Sequence, residues 1–515
     1  MKYGLSLLSI VMLFSTANAA QLTTYLTEWS GYSDSSSGYP AYPFDGAYPN
    51  TYASTTVTPN PDMVNKVQSS DVIEFAFLQV WNQALINQYS TLGAKQAWLG
   101  VLHFDDLWAD LANNKVSDYS VWQNLCGSAT ASITGSLLSG SCAAVQLNGN
   151  TGKLQVFDYA TADQWSIPGQ MDNFGAFLKL ATPANTRKVI AIGGANTLAN
   201  NSVSTQTFQT IFANQRAFLT SLTAFMTGMQ AHGLTATSGI DYDFEPPIYA
   251  SGAQQAPSAA TSQDYKNLYT LVVATRAALG PNAYISVTIT ANEAYLAYIN
   301  AAVDGGWFKQ IQASVNAINI MTYDLHGPWS LSADPGAISH ILLKQPTDLT
   351  HSYAIDYGTS EVTANVLSYG VDPGKLQVGL ASYGRGFAGV NAGSSAANPG
   401  FDQAWTGAAV LPGQYSNQSG LLPYKFVNAL MHSGYSQYHV KDSANTVIAS
   451  YLYNPALKQF IGYMSPELID SSCAYIKTSK LQGAIMWSAD TDASFDGSQG
   501  LSLIAEYNKV CRTDG

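Results

Sequence analysis

The chain has 515 residues, with 22 basic and 34 acidic side chains and a formal net charge of −12 at pH 7. That balance argues against a nucleic-acid binder, which needs a basic face to neutralise phosphates, and a hydrophobic content of 46% excludes a disordered chain. Charged residues make up only 11%, against about a quarter in an average soluble domain, so neutral polar side chains must wet the surface, as in extracellular proteins that handle carbohydrate.

Residues 1–19 read as a secretory signal. Lys2 supplies the positive start, Leu5 to Phe14 a short apolar run, and Ala17-Asn18-Ala19 a small-residue cleavage site. The apolar run is too short to span a bilayer, and no later stretch is longer, so no membrane partner is expected. The mature chain is expected to begin near Ala20 and to be exported.

Eight short β-rich runs follow, alternating with helical patterns: Leu22–Glu28, Val72–Gln79, Lys188–Gly193, Gly239–Phe244, Tyr284–Thr290, Ala317–Tyr323, Leu376–Ser382 and Gly483–Ser488. Several are almost continuously apolar, the mark of parallel strands buried on both faces. Eight such strands separated by helices predict an α/β fold, a (β/α)8 TIM barrel. Before the fourth strand, Phe208, Ile211, Phe212, Phe218, Leu219, Leu222, Phe225, Met226 and Met229 form one helical stripe that ends at His232-Gly233. After it, Ser262 can cap a helix carrying Tyr265, Leu268, Leu271, Val272 and Leu279, which Gly280-Pro281 stops. Two intervals exceed a simple crossover and read as insertions: one after strand two, at about 80–187 with a strand expected at Lys153–Tyr159, and one between strands seven and eight, at 383–481. The barrel then comprises 20–382 and is completed by 482–515.

Four cysteines suit an oxidising compartment. Of the three possible pairings, the sequence-local ones are expected, Cys126 with Cys142 and Cys473 with Cys511, with free thiols as the alternative. The seven histidines show no metal-ligand spacing, so no metal is expected.

The chemistry concentrates in Ser238-Gly239-Ile240-Asp241-Tyr242-Asp243-Phe244-Glu245-Pro246-Pro247. Side chains alternate along a strand, so Asp241, Asp243 and Glu245 project together, opposite Ile240, Tyr242 and Phe244. The two prolines cannot continue the ladder, which puts Glu245 at the strand's C-terminal end, the catalytic face of this fold. Three carboxyls stacked in a barrel raise one another's pKa. Two of them are expected to share a proton, leaving the outermost, Glu245, as a protonated general acid.

This stretch resembles the D-G-x-D-x-D-x-E signature of the family 18 glycoside hydrolases, the chitinase family. Further matches follow in order: Ile190–Gly194 is similar to the family's S-x-G-G strand, Met321-Thr322-Tyr323-Asp324-Leu325-His326-Gly327 to its M-x-Y-D-x-x-G strand, Gly379–Phe387 to its seventh-strand motif, and Gly483–Trp487 to its eighth strand with the terminal Trp. The family often carries a small α+β domain between strands seven and eight, which the resemblance assigns to 383–481. Two family positions are replaced, the first Asp by Ser238 and the S-x-G-G Ser by Ala191. Asn196 stands where an aromatic is frequent.

The resemblance implies a secreted endo-acting β-N-acetylglucosaminidase acting on chitin or N-acetylglucosamine oligosaccharides, as a monomer without cofactor. The family's reaction is assisted by the substrate. Glu245 is then the acid and base, Asp243 orients the acetamido group, Asp241 shares a proton with Asp243, and Tyr323 binds the acetamido oxygen. Met321 and Asp324 lie at the end of the same strand. Trp487 forms the floor under the sugar, or belongs to the barrel-top core. Tyr383 and Arg385 bind sugar hydroxyls, or Arg385 makes a structural ion pair. Trp329 stacks on the leaving-side sugars, and Tyr25 and Trp29 line the cleft. The alternatives are an endoglycosidase cutting the chitobiose core of N-glycans and a non-catalytic chitin-binding lectin.

Overall fold

The structure is a computed structural model that describes residues 19–27, 61–88, 96–104, 145–147, 154–156, 177–178, 180–194, 203–230, 233–245, 249–250, 253–254, 256–328, 336–346, 358–413, 419–431, 433–498 and 500–512. Residues 1–18 of the expected signal segment 1–19, together with Trp29, Asn196, Trp329, Cys126 and Cys142, lie outside them.

Eight parallel strands close into a barrel. Strand one is Gln21–Thr27, two Val72–Val80, three Arg187–Gly193, four Gly239–Phe244, five Ile285–Thr290, six Ala317–Met321, seven Leu376–Ala381 and eight Gly483–Trp487. Each pairs in parallel with its sequence neighbour, and strand eight pairs back with strand one. The strands are buried along almost their whole length, which is why they read as apolar runs. Outward-facing Ile190, Ile192, Ile240, Tyr242, Phe244, Ile318 and Ile320 pack with helix residues such as Phe208, Phe218, Leu222 and Leu268 in one large core. Each such side chain, fully buried, contributes roughly 1.5–3 kcal/mol.

Two helix expectations are corrected. The apolar stripe before strand four belongs to two helices, Val203–Ala213 and Gln215–Met229, broken at Asn214. Asn214 holds φ −129°, outside helical geometry. The break interrupts the backbone without moving the stripe out of phase, so periodicity does not reveal it. After strand four the helix is Ala259–Leu279, capped by Ser258 rather than Ser262, with Ser258 and Thr261 forming a capping box. Ser262 lies one turn further in, and its hydroxyl donates to the Tyr298 carbonyl at 2.9 Å.

After strand two, the short strand Leu102–Phe104 runs antiparallel to that strand's end, and a hairpin joins Val145–Leu147 to Leu154–Val156. Between strands seven and eight a second, antiparallel sheet forms. Tyr383–Ala388 pairs with Gly407–Ala408, Leu421–Pro423 and Gln459–Tyr463, and beyond the last lie Val447–Asn454 and Ser436–Lys441. Its core joins Phe387, Phe401, Tyr451, Tyr453 and Phe460 to Ala337, Ile338 and Leu342 from the segment after strand six. The helix Pro466–Thr478 leads back into the barrel and is bonded to the last helix, Leu503–Cys511, by the disulfide Cys473–Cys511. Among the described residues no helix is long and apolar enough to cross a membrane.

Candidate active site

The lumen is built by register. Asp241 lies opposite Ala191 of strand three and Ser286 of strand five, and Asp243 opposite Gly193 and Thr288. Asp241 and Asp243 therefore face inward one above the other, and both are buried. Glu245 follows strand four directly and is half-buried at its C-terminal end.

Gly193 and Gly194 let strand three close on this point. Gly193 has φ +114°, and a Cβ there would lie 2.1 Å from the Asp243 carbonyl oxygen. The Gly194 amide donates to that same oxygen at 3.1 Å. The backbone of Asp243 is thus clamped by a pair of residues that only glycine satisfies.

Asp241 Oδ2 accepts hydrogen bonds from the Tyr25 hydroxyl (3.1 Å) and the Thr288 hydroxyl (2.9 Å). Asn319 in turn donates to Thr288 at 3.0 Å. Burial pushes the Asp241 carboxyl up to about 6, against these stabilising hydrogen bonds. Asp243 is held well above the usual carboxylate range, first by burial and then by the charges of Glu245, Asp241 and Glu74. A stacked, desolvated ladder of this kind keeps protons at near-neutral pH.

Tyr323 lies two residues past the end of strand six, next to half-buried Met321 on the same side. Burial raises its phenol, and Tyr383, Asp243, Glu245 and Asp324 raise it further, so Tyr323 stays a neutral hydrogen-bond donor beside the carboxyls. Room for the ring comes from strand seven: a Cβ at Gly379 would fall 2.7 Å from Tyr323 Cε1. The Tyr383 ring meets Tyr323 edge-on at 6.2 Å.

Trp487 ends strand eight. Its ring stacks on Phe77 at 5.6 Å and 19° and lies 5.3 Å from Tyr25. Tyr25, Ala76, Phe77, Ala191 and Ile485 form one lumen cluster against which Tyr323 and Trp487 pack. Tyr323, Trp487 and the carboxyl ladder are therefore together.

Arg385 forks onto Asp324, with Nε 2.8 Å from Oδ1 and Nη2 2.7 Å from Oδ2. The backbone of Asp324 has φ +54°, and its amide donates to His340 Nδ1 at 3.3 Å. Burial alone would raise the Asp324 carboxyl; the guanidinium, helped by His340, holds it well below the usual range. Of the two sequence readings for Arg385, the ion pair is present, and it fixes Asp324 as a permanent anion beside Tyr323. Tyr383 is buried next to the pair, 5.3 Å from the guanidinium carbon.

Glu74 of strand two is not among the residues that the sequence singles out. It is fully buried and faces the lumen, in register with Tyr25. Its signal in the sequence is a lone acid within the apolar run Val72–Val80. Phe77, Thr288 and Asn319 join the site in the same unannounced way. Among the described residues no group of His, Cys, Asp and Glu side chains is arranged to hold a metal ion.

Residues 21–492 match the sequence profile of the glycosyl hydrolases family 18. The chain is 26% identical over 343 residues to Chitinase A1 of Niallia circulans, covering 64% of this chain and 44% of that protein, so it spans less than half of that relative's length. Among solved structures, a chitinase from Bacillus thuringiensis superposes with a TM-score of 0.62 at 18% identity, covering 96% of this chain and 71% of that one. Human YKL-39, described as a pseudo-chitinase with retained chitooligosaccharide binding, superposes with a TM-score of 0.56 at 13% identity, covering 96% and 99%. Likeness at these identities speaks for the barrel fold alone.

Proposed function

The chain belongs to the glycosyl hydrolases of family 18, and from that premise we propose that it cleaves β-1,4 linkages between N-acetylglucosamine units of chitin or chito-oligosaccharides, with retention of configuration. The observation that carries this reading is the inward ladder Asp241–Asp243–Glu245 topped by Tyr323 and Trp487.

Glu245, at the rim, gives its proton to the glycosidic oxygen as the bond to the leaving sugar breaks. The carbonyl oxygen of the substrate's own 2-acetamido group attacks the anomeric carbon and forms a cyclic oxazolinium ion. Asp243 accepts the acetamido N–H, and the single negative charge that it shares with Asp241, left on Asp241 when Asp243 carries their common proton, balances the positive charge of the ring. The Tyr323 hydroxyl donates to the acetamido oxygen, a dipole aimed in advance at developing charge. Glu245, now a carboxylate, takes a proton from water, whose oxygen attacks the same face that the leaving group left. Trp487 supplies the apolar platform for the sugar ring.

Chromatography of chitohexaose after incubation tests the reading. Wild type should yield shorter oligomers, and Glu245→Gln should lose about a thousandfold in kcat. Intact hexamer with wild type, alongside release of glycans from a high-mannose glycoprotein, would move the substrate to the N-glycan core. Retained binding without any turnover would make the protein a lectin on this fold. The reading includes export through residues 1–19: Edman sequencing of the mature protein should start near Ala20, and a start at Met1 in the exported fraction would contradict it.

A further inference from the structure

Strand two turns Val72, Glu74 and Ala76 towards the lumen. Glu74 is 0% exposed; among the described residues neither of its carboxylate oxygens has a partner at direct hydrogen-bond distance, and the Tyr25 hydroxyl is the hydrogen-bonding group beside it. It pairs in register with Tyr25 of strand one and with Val189 of strand three. Strand three separates it from strand four, yet presents only Val189, Ala191 and Gly193 inward, with no polar side chain between Glu74 and Asp241. On the far side, Asp241 Oδ2 has two donors, while among the described residues Oδ1 has none at direct hydrogen-bond distance, the Ser286 hydroxyl in register with Asp241 being the further group beside it. A buried acid without a close partner thus sits in the same lumen as a buried carboxylate oxygen without a close donor. Each is costly alone, and a proton between them satisfies both.

The groups facing Glu74 are Tyr25 from strand one, Asp241 and Asp243 from strand four, and Tyr284 just before strand five. Among the described residues no lysine or arginine neutralises Glu74, Asp241 or Asp243. Three buried carboxyls with no cation beside them cannot all be charged.

We infer that Glu74 is a positioning residue of the reaction, a neutral carboxylic acid whose O–H is given to Asp241 Oδ1 at the step where Asp241 becomes charged. The inference rests on the substrate-assisted reading above. In that reaction one proton is shared by Asp241 and Asp243. When Asp243 turns to the acetamido group and takes the proton with it, Asp241 is left as the anion. Tyr25 and Thr288 already solvate one of its oxygens, and Glu74 solvates the other. Glu74 keeps its proton throughout, and the proton count of the cluster does not change. Burial first, and then the charge of Asp241, holds the Glu74 carboxyl well above its ordinary range, as this role requires.

The test compares Glu74→Leu, which fills similar space without a donor, with Glu74→Gln, which keeps a neutral donor. On chitohexaose, Glu74→Leu should lower kcat at least about tenfold with KM unchanged, and should move the acid limb of the kcat profile up by about one pH unit, because Asp241 ionises less readily. Glu74→Gln should recover most of that loss and return the limb towards wild type. A limb that stays in place in Glu74→Leu, whatever its melting temperature, overturns the inference and leaves Glu74 a packing residue. A limb that falls in Glu74→Gln overturns it too, because the native group would then be charged. Infrared difference spectra of the wild type at pH 7 give a readout independent of turnover: a protonated buried carboxyl band that Glu74→Gln removes supports the role, and its absence from wild type refutes it. Failure of the wild type to hydrolyse chitohexaose would sink the proposed function, while the infrared band would still decide whether Glu74 carries the proton.

Discussion

At the scale of single residues, the site is a problem in where to keep protons. Asp241 has no exposed surface and, among the described residues, no cationic partner, so its carboxyl resists ionisation, with its pKa pushed up to about 6 from an ordinary 3.8. The sign of the consequence for stability follows. Between about pH 4 and pH 6 the folded chain binds more protons at this position than the unfolded chain does, so stability falls as pH rises through that window. The loss is on the order of 3 kcal/mol for a shift of about two units. Asp241→Asn removes the titration. Chemical denaturation at pH 4 and pH 6 should therefore show the wild type losing more stability across the interval than the variant; equal losses would mean that Asp241 is not held protonated. Asp324 illustrates the opposite case: its partner Arg385 makes it an anion at any working pH. Residue identity alone distinguishes none of these roles. The alternation Asp241–Asp243–Glu245 was visible because strand geometry forces it, and it led to the right wall of the lumen. Glu74 was not, because its neighbour Asp241 lies 167 positions on in a chain of 515 residues, and only closure of the barrel brings them into one cavity.

At the scale of elements, the eight strands were legible almost to the residue because burial on both faces leaves little but apolar side chains along them. Their ends were less so. Strand six stops at Met321, short of Tyr323, because Thr322 turns away from the ladder, its hydroxyl donating to the Gly379 carbonyl of strand seven at 2.9 Å. The helix break at Asn214 and the cap at Ser258 escaped for a common reason. Ser258 and Ser262 are four residues apart, on one helical face, and either satisfies the capping pattern until the backbone is known. The glycine pair at the end of strand three is a sharper case. Gly193 carries both a positive φ and a backbone contact that admits no side chain. Gly193→Ala should destabilise the fold by about 2 kcal/mol or more and depress kcat by displacing Asp243. Thermal melting together with chitohexaose turnover checks this, and a variant that melts and turns over like wild type would show that the clamp is unimportant.

At the scale of the whole molecule, the barrel supplies a ring of eight strands, and the chain between strands seven and eight adds a second sheet to it. The second sheet begins at Tyr383, within the catalytic neighbourhood, and packs its own aromatic core against the segment that follows strand six. The low proportion of charged residues and the net charge of −12 suit a neutral ligand that is held by stacking and hydroxyl contacts. The central claim is that the substrate's own acetamido group is the nucleophile, held by Asp243 and Tyr323 and triggered by Glu245. Proton NMR of the anomers formed in the first minutes of chitohexaose hydrolysis tests it most directly. The account predicts that the β-anomer appears first and only then relaxes to the equilibrium mixture; initial formation of the α-anomer would contradict it.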